Sequence, residues 1–118
     1  MTDIIDITIV KGATFKVSWF VKDGNGEPVP LAGYSAKMQI RKQNGTLLFS
    51  FLTGAEMSIT PNDGGVHLHI PDEVTKDIDW YLAKYDVFII APNQPEDDAY
   101  KIVRGNVSVE SSVTQIHI

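Results

Sequence analysis

Turn-forming residues recur along this 118-residue chain about every ten positions. They fall at Lys11-Gly12, Asp23-Gly24-Asn25-Gly26, Gln43-Asn44-Gly45, Thr53-Gly54, Pro61-Asn62-Asp63-Gly64-Gly65 and Ala91-Pro92-Asn93. This punctuation leaves little room for a helix of ordinary length and limits the chain to short strands. Between the turns the hydropathy has period two. Phe15, Val17, Trp19 and Val21 alternate with Lys16, Ser18, Phe20 and Lys22, and Tyr34, Ala36, Met38 and Ile40 alternate with Ser35, Lys37, Gln39 and Arg41. Such alternation gives a strand one dry and one wet face.

Read in order, the strands are expected over 4–10, 13–22, 31–41, 47–52, 57–60, 66–70, 80–91, 100–109 and 113–118. Asn44-Gly45 supplies the backbone freedom for a tight hairpin between the third and fourth. Residues 71–78, beginning Pro71-Asp72-Glu73, have the proline and acids of a first helical turn and are long enough only for a crossover. Gly105 is expected to mark a bulge in its strand. The fold class that follows is all-β: a single antiparallel β-sandwich over 1–118 with one short helical crossover near 71–78.

Composition narrows the chemistry. With 43% hydrophobic residues over this length, a core can form without metal or disulfide staples. There is no cysteine, which removes disulfides, thiol catalysis and cysteine zinc sites. The net charge is −5 and the ten bases are scattered, so nucleic acid is a poor partner on electrostatic grounds. No apolar run reaches the length of a membrane span, and Met1-Thr2-Asp3-Ile4 has no basic lead into an apolar segment, so a soluble chain made in a cytoplasm is expected.

More apolar residues lie on the strands than one core can use. Leu47-Leu48-Phe49-Ser50-Phe51-Leu52 is apolar on both faces, Phe20 is the odd member of a polar face, and Phe88 and Ile90 oppose the inward set Tyr85, Val87 and Ile89. Surplus of this kind marks protein contacts. The expected interface therefore comprises Phe20, Leu47, Leu48, Phe49, Phe51, Leu52, Phe88 and Ile90, with Ile116 and Ile118 adding a strand to a neighbour, and a homo-oligomer is expected.

Other constellations are weaker. His67 and His69 share a strand face ahead of Glu73, but two imidazoles without a third ligand make a poor metal site, and solvent-facing strand residues are the expectation. Asp23-Gly24-Asn25-Gly26-Glu27 starts like a calcium loop, but Tyr34 stands where a bidentate acid is required. Glu96-Asp97-Asp98 reads as a solvated loop tip without the burial that would separate carboxyl pKa values. Most of the aromatics are expected in the core, which a domain of this size needs, and Trp80 and Tyr81 are the pair to test for a sugar-stacking platform. Asn44-Gly45-Thr46 and Asn106-Val107-Ser108 match the glycosylation sequon by chance in such a chain. No nucleophile, base or cofactor set is legible, and no catalytic residue, metal or cofactor is expected.

One further pattern is carried by residue order. Ile9-Val10-Lys11-Gly12 is followed by Phe15-Lys16-Val17-Ser18-Trp19, then by Lys22-Asp23-Gly24-Asn25-Gly26-Glu27-Pro28 and Leu31-Ala32-Gly33-Tyr34, then by Ala36-Lys37-Met38-Gln39-Ile40-Arg41. Gly65-Val66-His67-Leu68-His69-Ile70, Tyr85-Asp86-Val87, Arg104-Gly105-Asn106-Val107-Ser108-Val109 and Val113-Thr114 continue the order. Over 9–114 the chain resembles small tailed-bacteriophage virion domains of immunoglobulin-like type, similar to the N-terminal domain of phage baseplate upper proteins. It departs from them at Trp80-Tyr81-Leu82-Ala83, where a glycine usually precedes the tyrosine strand, and in the added Gln115-Ile116-His117-Ile118. The resemblance implies an immunoglobulin-like sandwich with a non-enzymatic structural role in the virion, at the tail, baseplate or fibre attachment. Other virion proteins would be its partners, and the bacterial host cytoplasm its site of synthesis. A capsid decoration protein and a carbohydrate-binding module are the alternatives.

Overall fold

A computed structural model describes residues 3–92 and 98–111 of the chain. The strands are β1 (Asp3–Ile4), β2 (Ile7–Val10), β3 (Phe15–Phe20), β4 (Ser35–Arg41), β5 (Leu47–Leu52), β6 (Met57–Thr60), β7 (Gly65–Ile70), β8 (Leu82–Ile90) and β9 (Ala99–Glu110), with one short helix, α1 (Asp72–Thr75), between β7 and β8. The expected strand over 113–118, and with it Ile116 and Ile118, lies outside the described residues, as do Glu96 and Asp97.

Two sheets face each other. The larger runs β1-β9-β8-β4-β5, with β2 also paired to β9, and the smaller runs β3-β7-β6. Taking β1 and β2 as a divided first strand and β5 as an added one, the smaller sheet is the B-E-D sheet of an immunoglobulin sandwich. The strands β9-β8-β4 are its G-F-C sheet, with β5 in the C′ place. The fold is therefore an all-β, immunoglobulin-like sandwich. One part of the expectation needs correction: the sandwich is not wholly antiparallel. Both β1 and β2 pair with β9 in parallel, Asp3 opposite Val103 and Ile7 opposite Val107.

The expected alternation sets the layers. From the larger sheet, Met38, Ile40, Val87, Val103 and Val107 point inward; from the smaller, Trp19, Val66, Leu68 and Ile70 do so. Connecting segments close the ends of the core with Leu31, Ile78 and Trp80. Burying each large side chain is worth about 1.5–3 kcal/mol, which lets a chain without cysteine hold two sheets together.

The β4–β5 hairpin turns where Asn44-Gly45 predicts. The Lys42 N–H donates to Thr46 O at 2.9 Å, the Gly45 N–H returns to Lys42 O at 2.9 Å, and Gly45 takes a φ of 94°. A left-handed residue at that place is the cheapest way to close a three-residue loop. The crossover is shorter than expected, four helical residues, and Thr75 pins it: its buried Oγ1 donates to Ala13 O at 2.7 Å.

Gly105 does not mark a bulge. Tyr85 and Gly105 pair in register, and the irregularity lies between Val87 and Phe88, opposite Ile102. The glycine is needed because the chain crosses it between β1 and β2: a Cβ there would stand 2.1 Å from Ile5 O. Three bonds hold that crossing. The Ile5 N–H donates to Arg104 O at 2.9 Å, the Asn106 N–H to Asp6 Oδ1 at 2.9 Å, and the Tyr85 hydroxyl to Ile5 O at 2.6 Å.

Candidate interaction surface

The residues expected to form one interface separate into three groups. Phe51 points inward and is buried at 3% exposure, so it is a core residue and not a contact. Phe49 is half-buried against the core, stacked on Phe51 at 5.3 Å and edge-on to Trp80 at 6.3 Å. Leu48, the extra residue where the β4–β5 register shifts, also leans on the core. The surplus inferred from Leu47–Leu52 is thus smaller than its composition suggests: Phe49 and Phe51 face inward by the ordinary alternation, opposite Ile40 and Met38, and Leu48 joins them at the bulge.

Phe20 is half-exposed on the outer face of the smaller sheet, edge-on to His67 at 6.1 Å. It is on the opposite side of the sandwich from Phe88, so the two cannot share one contact. Phe88 and Ile90 are half-buried on the outer face of the larger sheet. Strand register gives that face cross-strand rows: Leu52-Lys37-Phe88-Lys101, Ser50-Gln39-Asp86-Arg104, and Leu47-Arg41-Lys84-Asn106. Most positions are polar or charged, which corrects the expectation of an apolar face. Phe88 is capped by Lys101, whose Nζ is 5.5 Å from the ring centroid and 3.2 Å from Asp86 Oδ2.

The middle of this face is an open hollow of about 510 Å³. Arg41, Lys84, Lys101 and Arg104 line it against Asp6 and Asp86. It is a net cationic patch on a chain whose overall charge is −5. Arg41 is already held by Gly45 O and Gln39 Oε1, each at 2.9 Å.

Of the expected contact residues on the larger sheet, the two most exposed lie on the β5 edge, Leu47 at 47% and Leu52 at 50%; Ile4 and Leu82 are exposed apolar residues elsewhere on that sheet. β5 ends the larger sheet, with β4 on one side. The Thr53 N–H donates to Ala36 O at 3.2 Å, so the odd-numbered backbone groups of β5 face β4. By alternation, those of Ser50 and Leu52 face away from it. At that open side the Leu52 carbonyl accepts from the Ala55 N–H at 3.3 Å. From residue 43 to residue 55 there is no charged side chain. Natural edge strands are ordinarily guarded by charge, proline or a bulge, and β5 has only the bulge, at its first turn.

The remaining candidates are held in structural bonds. His67 lies between two hydroxyls, with Nδ1 2.7 Å from Ser18 Oγ and Nε2 2.6 Å from Thr60 Oγ1, so both ring nitrogens are engaged, while His69 is exposed. Among the described residues no three His, Asp or Glu side chains come together as a ligand set. Asp23 Oδ1 accepts from the N–H groups of Asn25 and Glu27 at 2.9 and 3.0 Å, closing its own turn. Trp80 is buried at 8% exposure, as a core aromatic, whereas Tyr81 is 73% exposed, so the two do not form a common stacking surface. Asp98 accepts from the Tyr100 hydroxyl at 2.7 Å, a bond that raises the Tyr100 pKa.

Sequence reasoning missed the relation between Trp19 of β3 and Tyr85 of β8. Their rings stack across the two sheets with centroids 6.0 Å apart and planes 30° apart. In antibody domains the same two strands, B and F, carry the inter-sheet disulfide. Burial pushes the Tyr85 phenol up to about 12; the neighbouring Trp19 indole acts against this, and the charge of Asp6 acts with it to a smaller degree.

No protein-family model matches the chain, and no curated protein sequence matches it. Among solved structures, it is similar to the extracellular domain of the voltage-gated sodium channel β4 subunit, described as a parallel homodimer with a role in cell–cell adhesion. The identity is 8% over 96% of both chains, with a TM-score of 0.47. It is also similar to the extracellular domain of mouse leukocyte-associated immunoglobulin-like receptor 1, a strand-swapped dimer, at 13% identity over 96% of this chain and 88% of that one, with a TM-score of 0.38.

Proposed function

We propose that the chain is a non-enzymatic structural protein of a tailed-phage virion, working at the tail, baseplate or fibre attachment by binding other virion proteins. The observation that carries an interaction role is the β5 edge. It is an open strand with two half-exposed leucines and no charge over residues 43–55, and a sheet edge of that kind is a site for another chain. The virion setting rests on the resemblance in residue order to small phage virion domains over 9–114. The polar side chains that could suggest chemistry support the same reading, because His67, Asp23, Thr75 and Tyr85 are committed to bonds that hold turns and strands.

The test is to raise antibody to the purified chain and label intact particles from an infected host for electron microscopy, with mass spectrometry of the same particles. Label at the tail or baseplate is expected. Label over the head would make it a capsid decoration protein, and absence from purified particles would overturn the reading.

A further inference from the structure

We infer that the partner at the β5 edge is a second copy of this chain, paired antiparallel through a two-fold axis at Ser50. The inference deepens the interaction role just proposed and rests on it. Residues 48–52 read Leu48-Phe49-Ser50-Phe51-Leu52, the same in both directions. Two antiparallel copies centred on Ser50 therefore set Ser50 against Ser50 and Phe49 against Phe51, like against like, with the core-leaning Leu48 opposite the outward Leu52 at the two ends. A two-fold contact requires this self-complementarity.

The backbone agrees with that register. The Ser50 N–H and C=O lie on the side of β5 away from β4, because the odd-numbered groups are the ones that face it. Ser50 opposite Ser50 can thus exchange both hydrogen bonds. The pleat agrees as well: Ser50 and Leu52 are on the outer face and Phe51 on the core face. Joining two copies keeps their outer faces on one side and brings the Phe49-Phe51 stacks side by side beneath the joint.

Charge selects the partner. Two chains of −5 repel, so a contact between copies is favoured where neither brings charge to it. The strip 43–55 has none, so the two copies can close there. Its flanks are Lys42 and Glu56. In this register Lys42 of one copy and Glu56 of the other come to the same end of the paired strands, opposite signs at both ends.

Because Ser50 meets itself on the axis, a charge placed there is opposed by its own copy. Sedimentation equilibrium over a concentration series is run on the wild type, on Ser50→Lys, on Ser50→Glu and on the two variants mixed, with thermal melts confirming that each is folded. The wild type is expected to dimerise. Each variant alone is expected to weaken the dimer about tenfold or more, and the mixture to restore it. A wild type that stays monomeric throughout, variants that dimerise as well as the wild type, or a mixture that restores nothing would each overturn the Ser50 axis. A monomer that still incorporates into particles overturns the dimer alone, whereas a dimer absent from particles overturns the virion role alone.

Discussion

The indole of Trp19 stacks on the phenol ring of Tyr85 across the sandwich, centroids 6.0 Å apart, and joins the two sheets without a covalent link. Trp19 is 5% exposed and Tyr85 4%, and the Tyr85 hydroxyl reaches beyond the stack to Ile5 O at 2.6 Å. One aromatic pair thus ties β3 to β8 and fixes the break between β1 and β2. Trp19→Ala should cost about 3–5 kcal/mol, as large-to-small core changes do. Tyr85→Phe keeps the stack but strands the Ile5 carbonyl and should cost about 1–3 kcal/mol. Urea unfolding of the two variants checks both values, and a Tyr85→Phe cost equal to that of Trp19→Ala would contradict this division of labour.

Alkali should loosen the same joint. The folded Tyr85 phenol titrates at about 12 against an ordinary value of 10.0. A group whose folded pKa is raised contributes its full stability below the unfolded pKa and loses it as pH rises through the folded one. The melting temperature of the wild type should therefore fall between about pH 10 and pH 12 more steeply than that of Tyr85→Phe. Parallel curves for the two proteins would show that Tyr85 is not the titrating group.

Gly105→Ala tests the crossing of the N-terminal strands. The new Cβ would stand 2.1 Å from Ile5 O, a backbone atom that can move only by displacing the chain between β1 and β2. A loss of about 1–3 kcal/mol is expected, together with faster proteolysis near Ile5 and Asp6. A variant with wild-type stability and an uncut N-terminus would contradict the close approach.

The adjacent residues Phe51 and Leu52 should respond in opposite ways to the same change. Phe51→Glu puts a carboxylate into the core, an uncompensated burial that costs several kcal/mol, and should prevent folding. Leu52→Glu places it at a half-exposed edge position and should shift stability by only about 0.5 kcal/mol, while weakening association. Circular dichroism melts and sedimentation of the two variants separate the outcomes. A folded Phe51→Glu would mean that the face assignment of β5 is wrong.

Strand positions and inward faces were legible because period two is a local signal: Trp19, Met38, Leu68 and Val87 all point where the alternation places them. The Asn44-Gly45 turn was legible for the same reason. The parallel pairing of β2 with β9 was not, since it joins residues about a hundred positions apart and no local pattern encodes it. Gly105 was misread because a glycine required by a crossing chain looks the same as one required by a bulge. In Leu47–Leu52 both faces are apolar, so period two cannot tell inward from outward, and only the pairing shows that Phe49 and Phe51 pack inward with the bulged Leu48 beside them. The interaction surface was half legible: composition pointed to Leu47–Leu52, but only the sheet order makes that strand an edge.

Hydrogen exchange at single amides of β5, followed from dilute to concentrated protein, tests the edge contact most directly. The Phe51 and Thr53 amides point toward β4, whereas those of Ser50 and Leu52 point to the open side. If the edge is the contact, protection at Ser50 and Leu52 will rise with concentration while Phe51 and Thr53 stay as they are. If Ser50 and Leu52 exchange freely at every concentration while the protein associates, β5 is not where copies of this chain meet.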